Sequence, residues 1–366
     1  MMEPLRILHS EAATGFGGQE NRIFKEMRAM RAAGHHMEAL CQPHARLTQR
    51  LRDEGFQVHT LMMDGPRNYA RGVFQVRRIL KNGRFDVLNT HSRRDTLLAG
   101  VAARLAGTPL IVRTRHLAVK PGSLLSYTRV PHCVTTVSDH VRNLLLECGA
   151  APDRVATVYS PIPLPPPVEH SSLRAELGIP DSAVVVGCVA VMRAKKGHRA
   201  LIDAMADLLR RPDVYLVLVG DGSPTLEELR TMVQMRGLQD KVLFAGRRTD
   251  IPNVLAGFDL FALATEQEAS GTVFVEAAAA GLPVVGTDVG GVSEMLQDGV
   301  TGVLVPLHDQ TALADAIRML VDDPERRRAM GRAGMKAVRE SDRFTLEGLV
   351  RRTERCYRGW LQERVR

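Results

Sequence analysis

A chain of 366 residues, 45% hydrophobic and 25% charged, is globular rather than disordered and long enough for two α/β domains of about 150–200 residues each. No apolar run reaches the roughly 18–20 residues that span a bilayer. Five scattered cysteines (Cys41, Cys133, Cys148, Cys188, Cys356) without a CxxC pair argue against a zinc ribbon or a disulfide framework. The start enters a strand without a charged-then-apolar leader, so the expected location is cytoplasmic.

The net charge of +8 is uneven. Residues 1–165 hold 23 Lys and Arg against 13 Asp and Glu, whereas residues 166–366 hold 26 against 28. A basic first half suits either a solvated surface or a face that meets anionic lipid or an anionic acceptor. Nucleic acid is not expected as a partner, because aromatics are only 4% and no recognition motif is present.

In chain order, Leu5–His9 reads as a first strand and Gly18–Ala33 as a helix stopped by Gly34. Between them stands Thr14-Gly15-Phe16-Gly17-Gly18-Gln19-Glu20. Glycines there either make a tight turn or let the backbone approach a phosphate at a helix N-terminus. A Gly-x-Gly-x-x-Gly dinucleotide fingerprint fails because Glu20 takes its last position. Leu40-Cys41-Gln42-Pro43 also lacks the acid expected after the second strand, so a dehydrogenase loses both supports.

Further strands are expected at Met37–Cys41, Gln57–Leu61, Asp86–Asn89, Leu110–Arg113 and Cys133–Val137. Helical patterns lie between them, at Thr96–Ala106 and from the Ser138 cap to Cys148. This alternation implies a parallel sheet. His91 and His116 follow strands of that sheet, at the edge where such sheets bind ligands, and His91 is a candidate site residue by position. There is no HExxH or other compact ligand cluster, so no protein-held metal is expected. A Gly-x-Ser-x-Gly elbow is also absent.

Ser160-Pro161-Ile162-Pro163-Leu164-Pro165-Pro166-Pro167 holds five prolines in eight residues and reads as a stiff linker. The pattern then restarts. Strands are expected at Ala183–Ala190, Tyr215–Val219, Val242–Ala245, Phe258–Ala262, Pro283–Gly286 and Gly302–Val305. Helices are expected at Gly197–Arg210, Thr225–Arg236, Thr272–Ala280 and Gln310–Val321, with a charged helical tail over Arg343–Arg366.

Three segments of this half could carry chemistry. Val191-Met192-Arg193-Ala194-Lys195-Lys196-Gly197-His198 follows the half's first strand, where Arg193 and Lys196 suit phosphates or form a solvated cluster. Glu268 and Glu276 straddle a Gly271-Thr272-Val273 turn that opens an Ala-rich helix. The helix N-terminus there can hold a diphosphate with backbone N–H groups. The two acids could accept hydrogen bonds from sugar and ribose hydroxyls, or could simply be solvated near a helix start. Arg247-Arg248, after Val242–Ala245, is a weaker signal for a base or a phosphate.

Taken in this order, the segments resemble retaining glycosyltransferases of family four. The resemblance covers nearly the whole chain and is strongest from Ala183 to Pro306, where Glu268…Glu276, Ala277–Val285, Thr287-Asp288-Val289-Gly290-Gly291, Glu294 and Asp298-Gly299-Val300-Thr301-Gly302 continue the match. It implies the GT-B fold: two doubly wound Rossmann-like α/β domains facing each other across a cleft. The expected boundaries are 1–163 for an acceptor domain, 164–342 for a donor domain, and a last helix at 343–366 returning to the first.

It further implies that Glu268 contacts the donor sugar or supports catalysis, Glu276 the ribose and Lys196 the diphosphate. Gly17-Gly18 would border the phosphates and the acceptor, and His91 would lie near the transferred sugar. The donor would be a UDP- or GDP-sugar, with no further cofactor. The acceptor would be a glycan or lipid-linked molecule of a bacterial envelope, such as lipopolysaccharide or capsule. A non-transferring relative of the fold, an epimerase or a binding protein, is the alternative.

The chain departs from the family pattern in three places. Val191 takes the usual Arg position, with Arg193 nearby. Glu268-Ala269-Ser270-Gly271 replaces Glu-Gly-Phe-Gly, and Tyr159-Ser160-Pro161-Ile162-Pro163 replaces Asn-Gly-x-Asp.

Overall fold

The computed structural model describes residues 3–166 and 168–365. Met1, Met2, Pro167 and Arg366, which the expected start, linker and tail include, lie outside the described residues. The chain divides into two compact units, Met1–Pro161 with Arg343–Arg366, and Ile162–Asp342.

The first unit carries seven strands, β1 (Arg6–Glu11), β2 (His36–Cys41), β3 (Gln57–Thr60), β4 (Val87–Thr90), β5 (Leu110–Arg115), β6 (Cys133–Thr136) and β7 (Val155–Thr157). They are all parallel, in the order β3-β2-β1-β4-β5-β6-β7. Side chains alternate across the sheet as the period of two demands. Ile7 enters a core layer with Ile23, Met27 and Met30 of the helix Gly18–Ala32, while Leu8 enters the opposite layer with Val76, Leu88 and Leu98. The last helix, Leu346–Val365, buries Tyr357 and Trp360 in the first of these layers. Its Tyr357 hydroxyl accepts from Asn89 Nδ2 at 2.9 Å, and Trp360 Nε1 donates to the Asp153 carbonyl at 3.1 Å.

The second unit carries six parallel strands, β8 (Val184–Val189), β9 (Val214–Val219), β10 (Val242–Gly246), β11 (Leu260–Leu263), β12 (Val284–Thr287) and β13 (Gly302–Val305). Their order is β10-β9-β8-β11-β12-β13. Val-rich runs such as Val184–Val189 are buried along most of their length, as strands of parallel sheets are, which is why they read as continuous apolar segments. In each sheet the strand order reverses beside the first strand, at β1/β4 and at β8/β11. Loops leaving the carboxyl ends of neighbouring strands diverge there and leave a crevice for ligands.

Some elements differ from expectation. The helix expected at Gly197–Arg210 starts at His198, because Gly197 is left-handed at φ +68°. It ends at Ala204 and tightens into a 3₁₀ turn at Leu208–Arg210, a common way to finish a helix ahead of a proline, here Pro212. The helices Pro66–Gly83 and Pro324–Glu340 were not anticipated. Both begin with proline at the first helical position, where its missing N–H costs nothing. The helix Arg46–Asp53 and strand β7 were also not anticipated.

Candidate functional site

In the second unit the loops after β8 and β11 are stitched together. A Cβ on Gly197 would lie 1.7 Å from the Ala264 carbonyl oxygen, so only glycine lets the β8 loop lie against the end of β11. The Lys195 carbonyl accepts from the Glu266 amide at 2.8 Å and from Thr265 Oγ1 at 3.1 Å. This brings Lys196 Nζ to 2.5 Å from Glu268 Oε2, while Glu268 Oε1 accepts from the Ala269 amide at 3.1 Å. From the far side, the turn after β12 presses on the same residue. Gly291 donates to the Glu268 carbonyl at 3.0 Å, and a Cβ on left-handed Gly290 would stand 1.9 Å from that oxygen.

Gly271, at φ +61°, turns the chain from Glu268 into the helix Thr272–Ala279. Phe274, Ala277 and Ala278 bury one face of that helix. No side chain caps its amino end, and its first turn carries no acid. The amides of Thr272 and Val273 are therefore among the donors that a helix cannot satisfy itself. Glu276 is half-buried, four residues or about 6 Å further along the helix axis.

The structure thus gathers Lys196, Glu268, Gly271, Thr272 and Val273 at one strand-order reversal, with Glu276 one turn behind. Arg193 opens the short turn Ala194–Lys196 with its side chain exposed. Arg247 is not part of this group. It is exposed after β10, two strands from β8 and so about 10 Å aside. Its neighbour Arg248 is held by Glu176 at 2.5 Å and Asp250 at 2.7 Å. His198, buried beside Lys196, has neither ring nitrogen bonded, and burial reinforced by the Lys196 charge lowers its pKa to about 4.

In the first unit the end of β1 and the loops after β4 and β5 form a second polar group. The Gly17 amide donates to Glu20 Oε2 at 2.6 Å, so the turn before the helix Gly18–Ala32 already holds a carboxylate from the chain itself. Gly18 opens that helix with open space around its Cα. His91 is buried, and both its ring nitrogens are taken. Nε2 faces His9 Nδ1 at 2.9 Å, and Nδ1 faces His116 Nε2 at 3.1 Å. The His9 and His91 rings stack 5.1 Å apart. Burial depresses all three imidazoles below the ordinary value, with the neighbouring histidines adding to it for His91.

Beneath them, Asp95 accepts from the His91 amide at 2.9 Å and the Ser92 amide at 2.7 Å. Burial still raises its carboxyl to about 6. Burial and the Asp95 charge raise Glu11 to about 8, so Glu11 is largely protonated at neutral pH. A pocket of about 210 Å³, lined by His91, Arg93, Arg113, Arg115, His116 and Tyr127 among others, opens beside this group.

Sequence reasoning had not singled out His9, Glu11, Asp95, Arg113 or Arg115 as site residues. Polar residues at the very end of a buried strand, as in His9-Ser10-Glu11 and Arg113-Thr114-Arg115, are the signal that points to them. Among the described residues, no group of three His, Cys, Asp or Glu is arranged to hold a metal ion. No helix is long and apolar enough to cross a membrane.

Residues 16–164 match the glycosyltransferase family 4 domain, and residues 170–337 match glycosyl transferases group 1. The chain is 34% identical over 189 residues to N-acetyl-alpha-D-glucosaminyl L-malate synthase of Bacillus anthracis, covering 52% of this chain and 49% of that protein. It is 30% identical over 313 residues to the D-inositol 3-phosphate glycosyltransferase of Saccharomonospora viridis, covering 77% and 73%. The chain spans about half the length of the first curated relatives it matches. Among solved structures, Anabaena Alr3699/HepE in complex with UDP superposes with a TM-score of 0.84 at 22% identity, covering 97% of this chain and all of that one, and shares its GT-B fold. With both halves matched by adjoining family domains and one relative aligned over most of its length, the chain belongs to the family-four, group 1 glycosyltransferases.

Proposed function

We propose that this chain transfers a sugar, with retention of anomeric configuration, from a UDP- or GDP-sugar to a glycan or lipid-linked acceptor in bacterial envelope synthesis. The observation that carries the reading is the Lys196–Glu268 pair at 2.5 Å, set beside an uncapped, acid-free helix N-terminus. A nucleotide sugar needs positive charge for its diphosphate and an acceptor of hydrogen bonds for its hydroxyls, and these stand side by side here.

As the anomeric carbon takes on cationic character, charge builds on the departing diphosphate. Lys196, Arg193 and the amides of Thr272 and Val273 meet that charge from fixed positions, which is the most effective form of electrostatic catalysis. Glu268 holds the sugar and Glu276 the ribose. The acceptor belongs to the first unit, with His91 as its residue nearest the reacting sugar. Gly17, Gly18 and Arg247 have weaker roles in this scheme, because Glu20 occupies the first turn and Arg247 stands apart from Lys196.

Lys196→Ala and Glu276→Ala should each weaken nucleotide binding by about 10–100-fold, the loss expected for a charge-assisted hydrogen bond. A calorimetric panel of UDP- and GDP-sugars reads this directly, and normal affinity in both variants defeats the assignment. Product anomeric configuration, read by NMR, tests retention.

The same reading places the enzyme at the inner face of a membrane. The helix Pro66–Gly83 exposes Arg71, Arg78 and Lys81 together with Phe74, which is 73% exposed. Binding to vesicles should rise with anionic lipid and fall with salt; salt-insensitive or absent binding rejects it.

A further inference from the structure

The first unit's pocket has a marked chemical bias. Three arginines line it and no acid does. Each arginine is engaged differently. Arg115 spends its donors on the carbonyls of Leu117 and Val119 and on the Tyr127 hydroxyl, so it contributes charge. Arg113 is buried at 4% exposure, bonds Ser126 through Nη1 and lies 3.8 Å above the Tyr127 ring. Its Nε is buried without a partner. Arg93 is exposed and has no hydrogen bond or ion pair among the described residues. No carboxylate lies within salt-bridge reach of any of the three among those residues. Asp95, the acid acting most on Arg113, has its oxygens occupied by the amides of His91 and Ser92.

The histidine chain adds a donor. Three neutral imidazoles carry one N–H each, so His9–His91–His116 must be polarised in one direction. Running it from His116 to His9 would leave His9 Nε2 as a buried N–H without a partner, which native structures rarely tolerate. Running it from His9 leaves that atom as a bare acceptor, the less costly orphan. His9 Nδ1–H then donates to His91, His91 Nδ1–H donates to His116 Nε2, and the proton of His116 sits on Nδ1. His116 lines the pocket.

We propose that this pocket binds an oxyanion carried by the acceptor, a phosphate or a carboxylate, with Arg113 and Arg93 as its charged partners and His116 Nδ1–H as a further donor. The proposal rests on the assignment of the acceptor to the first unit and narrows the acceptor to an acidic one.

The test uses the full chain, with its histidines labelled for NMR and titrated with inorganic phosphate and, separately, with malonate. At least one anion should shift the His116 ring resonances saturably, and the better binder of the two identifies the group. Arg93→Ala, at an exposed position, should weaken that binding by about tenfold, and Arg113→Met by at least as much. The starting spectrum should show His116 protonated at Nδ1. A flat titration with both anions, or Arg93→Ala and Arg113→Met titrating like the parent protein, overturns the proposal. If Arg113→Met does not fold, Arg93→Ala decides alone. A nucleotide titration run alongside keeps the readings separate: normal UDP or GDP binding with a flat anion response sinks the pocket and leaves the donor assignment standing.

Discussion

Gly290 offers a way to move Glu268 without touching its side chain. Alanine at Gly290 or at Gly299 meets the same backbone problem, since both are left-handed, at φ +58° and +73°, and that conformation costs a non-glycine residue about 1–2 kcal/mol. The surroundings differ. A Cβ at Gly299 meets nothing within 4 Å, whereas one at Gly290 falls 1.9 Å from the Glu268 carbonyl oxygen. To reach even 3.0 Å, the shortest separation real Cβ atoms show, that carbonyl must retreat by about 1.1 Å. The 3.0 Å hydrogen bond from Gly291 then breaks, adding about 0.5–1.5 kcal/mol. Gly290→Ala should therefore cost about 1.5–3.5 kcal/mol and Gly299→Ala about 1–2 kcal/mol. The functional gap should be wider, because a displacement of about 1 Å at a positioned group can cost about 100-fold in rate. Urea unfolding followed by circular dichroism reads the first difference, and single-turnover transfer or donor hydrolysis reads the second. Equal losses of stability and of rate in the two variants would refute the claim that the turn after β12 positions Glu268.

Three further outcomes follow from the geometry. Glu268→Gln releases Lys196 from its 2.5 Å partner; free UDP or GDP should bind at least as tightly as to the parent, while the extra affinity for the sugar-linked form disappears, and calorimetry with both ligands distinguishes this from general damage. Tyr357→Phe strands the buried Asn89 Nδ2 and should cost about 1–3 kcal/mol, read through Trp360, the single tryptophan, whose ring shares that core layer. Glu11 is raised from 4.5 to about 8, so the folded state keeps a proton that the unfolded chain has lost. Its contribution is complete below pH 4.5 and falls away as pH rises to about 8; Glu11→Gln should remove that decline, so unfolding curves for the two proteins that keep a constant separation from pH 5 to 8 would contradict the burial argument.

Much of this fold was legible because parallel strands buried on both faces announce themselves as apolar runs, and because a glycine such as Gly34 marks where a helix ends. The grouping around Lys196 in the second unit was legible for a different reason. Lys196, Glu268 and Glu276 lie in short segments directly after β8 and β11, and local sequence fixes such segments. What escaped was non-local. No feature near Gly290 says that its backbone will meet Glu268, and the contact exists only once β12 is laid beside β11. The histidine chain is similar, since His9, His91 and His116 come from three strands and meet through the β1-β4-β5 order. Arg247 was the weaker signal in the sequence, and the strand order sets β10, which precedes it, at the sheet edge two strands from β8.

The two sheets use one topological device, yet their helix amino ends are prepared differently, and the proposed placing of the diphosphate rests on this difference. In the first unit the turn before the helix Gly18–Ala32 is filled by Glu20, with Gln19 bonded to Glu11 alongside. A phosphate arriving there would meet a carboxylate in the place where a helix most favours an anion. In the second unit Gly271 brings no side chain and the first turn of Thr272–Ala279 no acid, while Lys196 stands across the loop. On the proposed reading a diphosphate therefore favours the second helix end, which has Lys196 nearby and no acid in its first turn, over the first, where Glu20 already stands. The first unit's cations stand after β4 and β5, where Arg93 and Arg113 line a pocket together with Gln19 of that helix's first turn and meet no acid among the described residues. Exchanging these preparations, with Glu20→Gln to vacate the first turn and Thr272→Glu to fill the second, should abolish diphosphate binding, since the second helix end then carries an acid where an anion is proposed to sit. Nucleotide bound by the double variant with parental affinity would show that neither helix end matters.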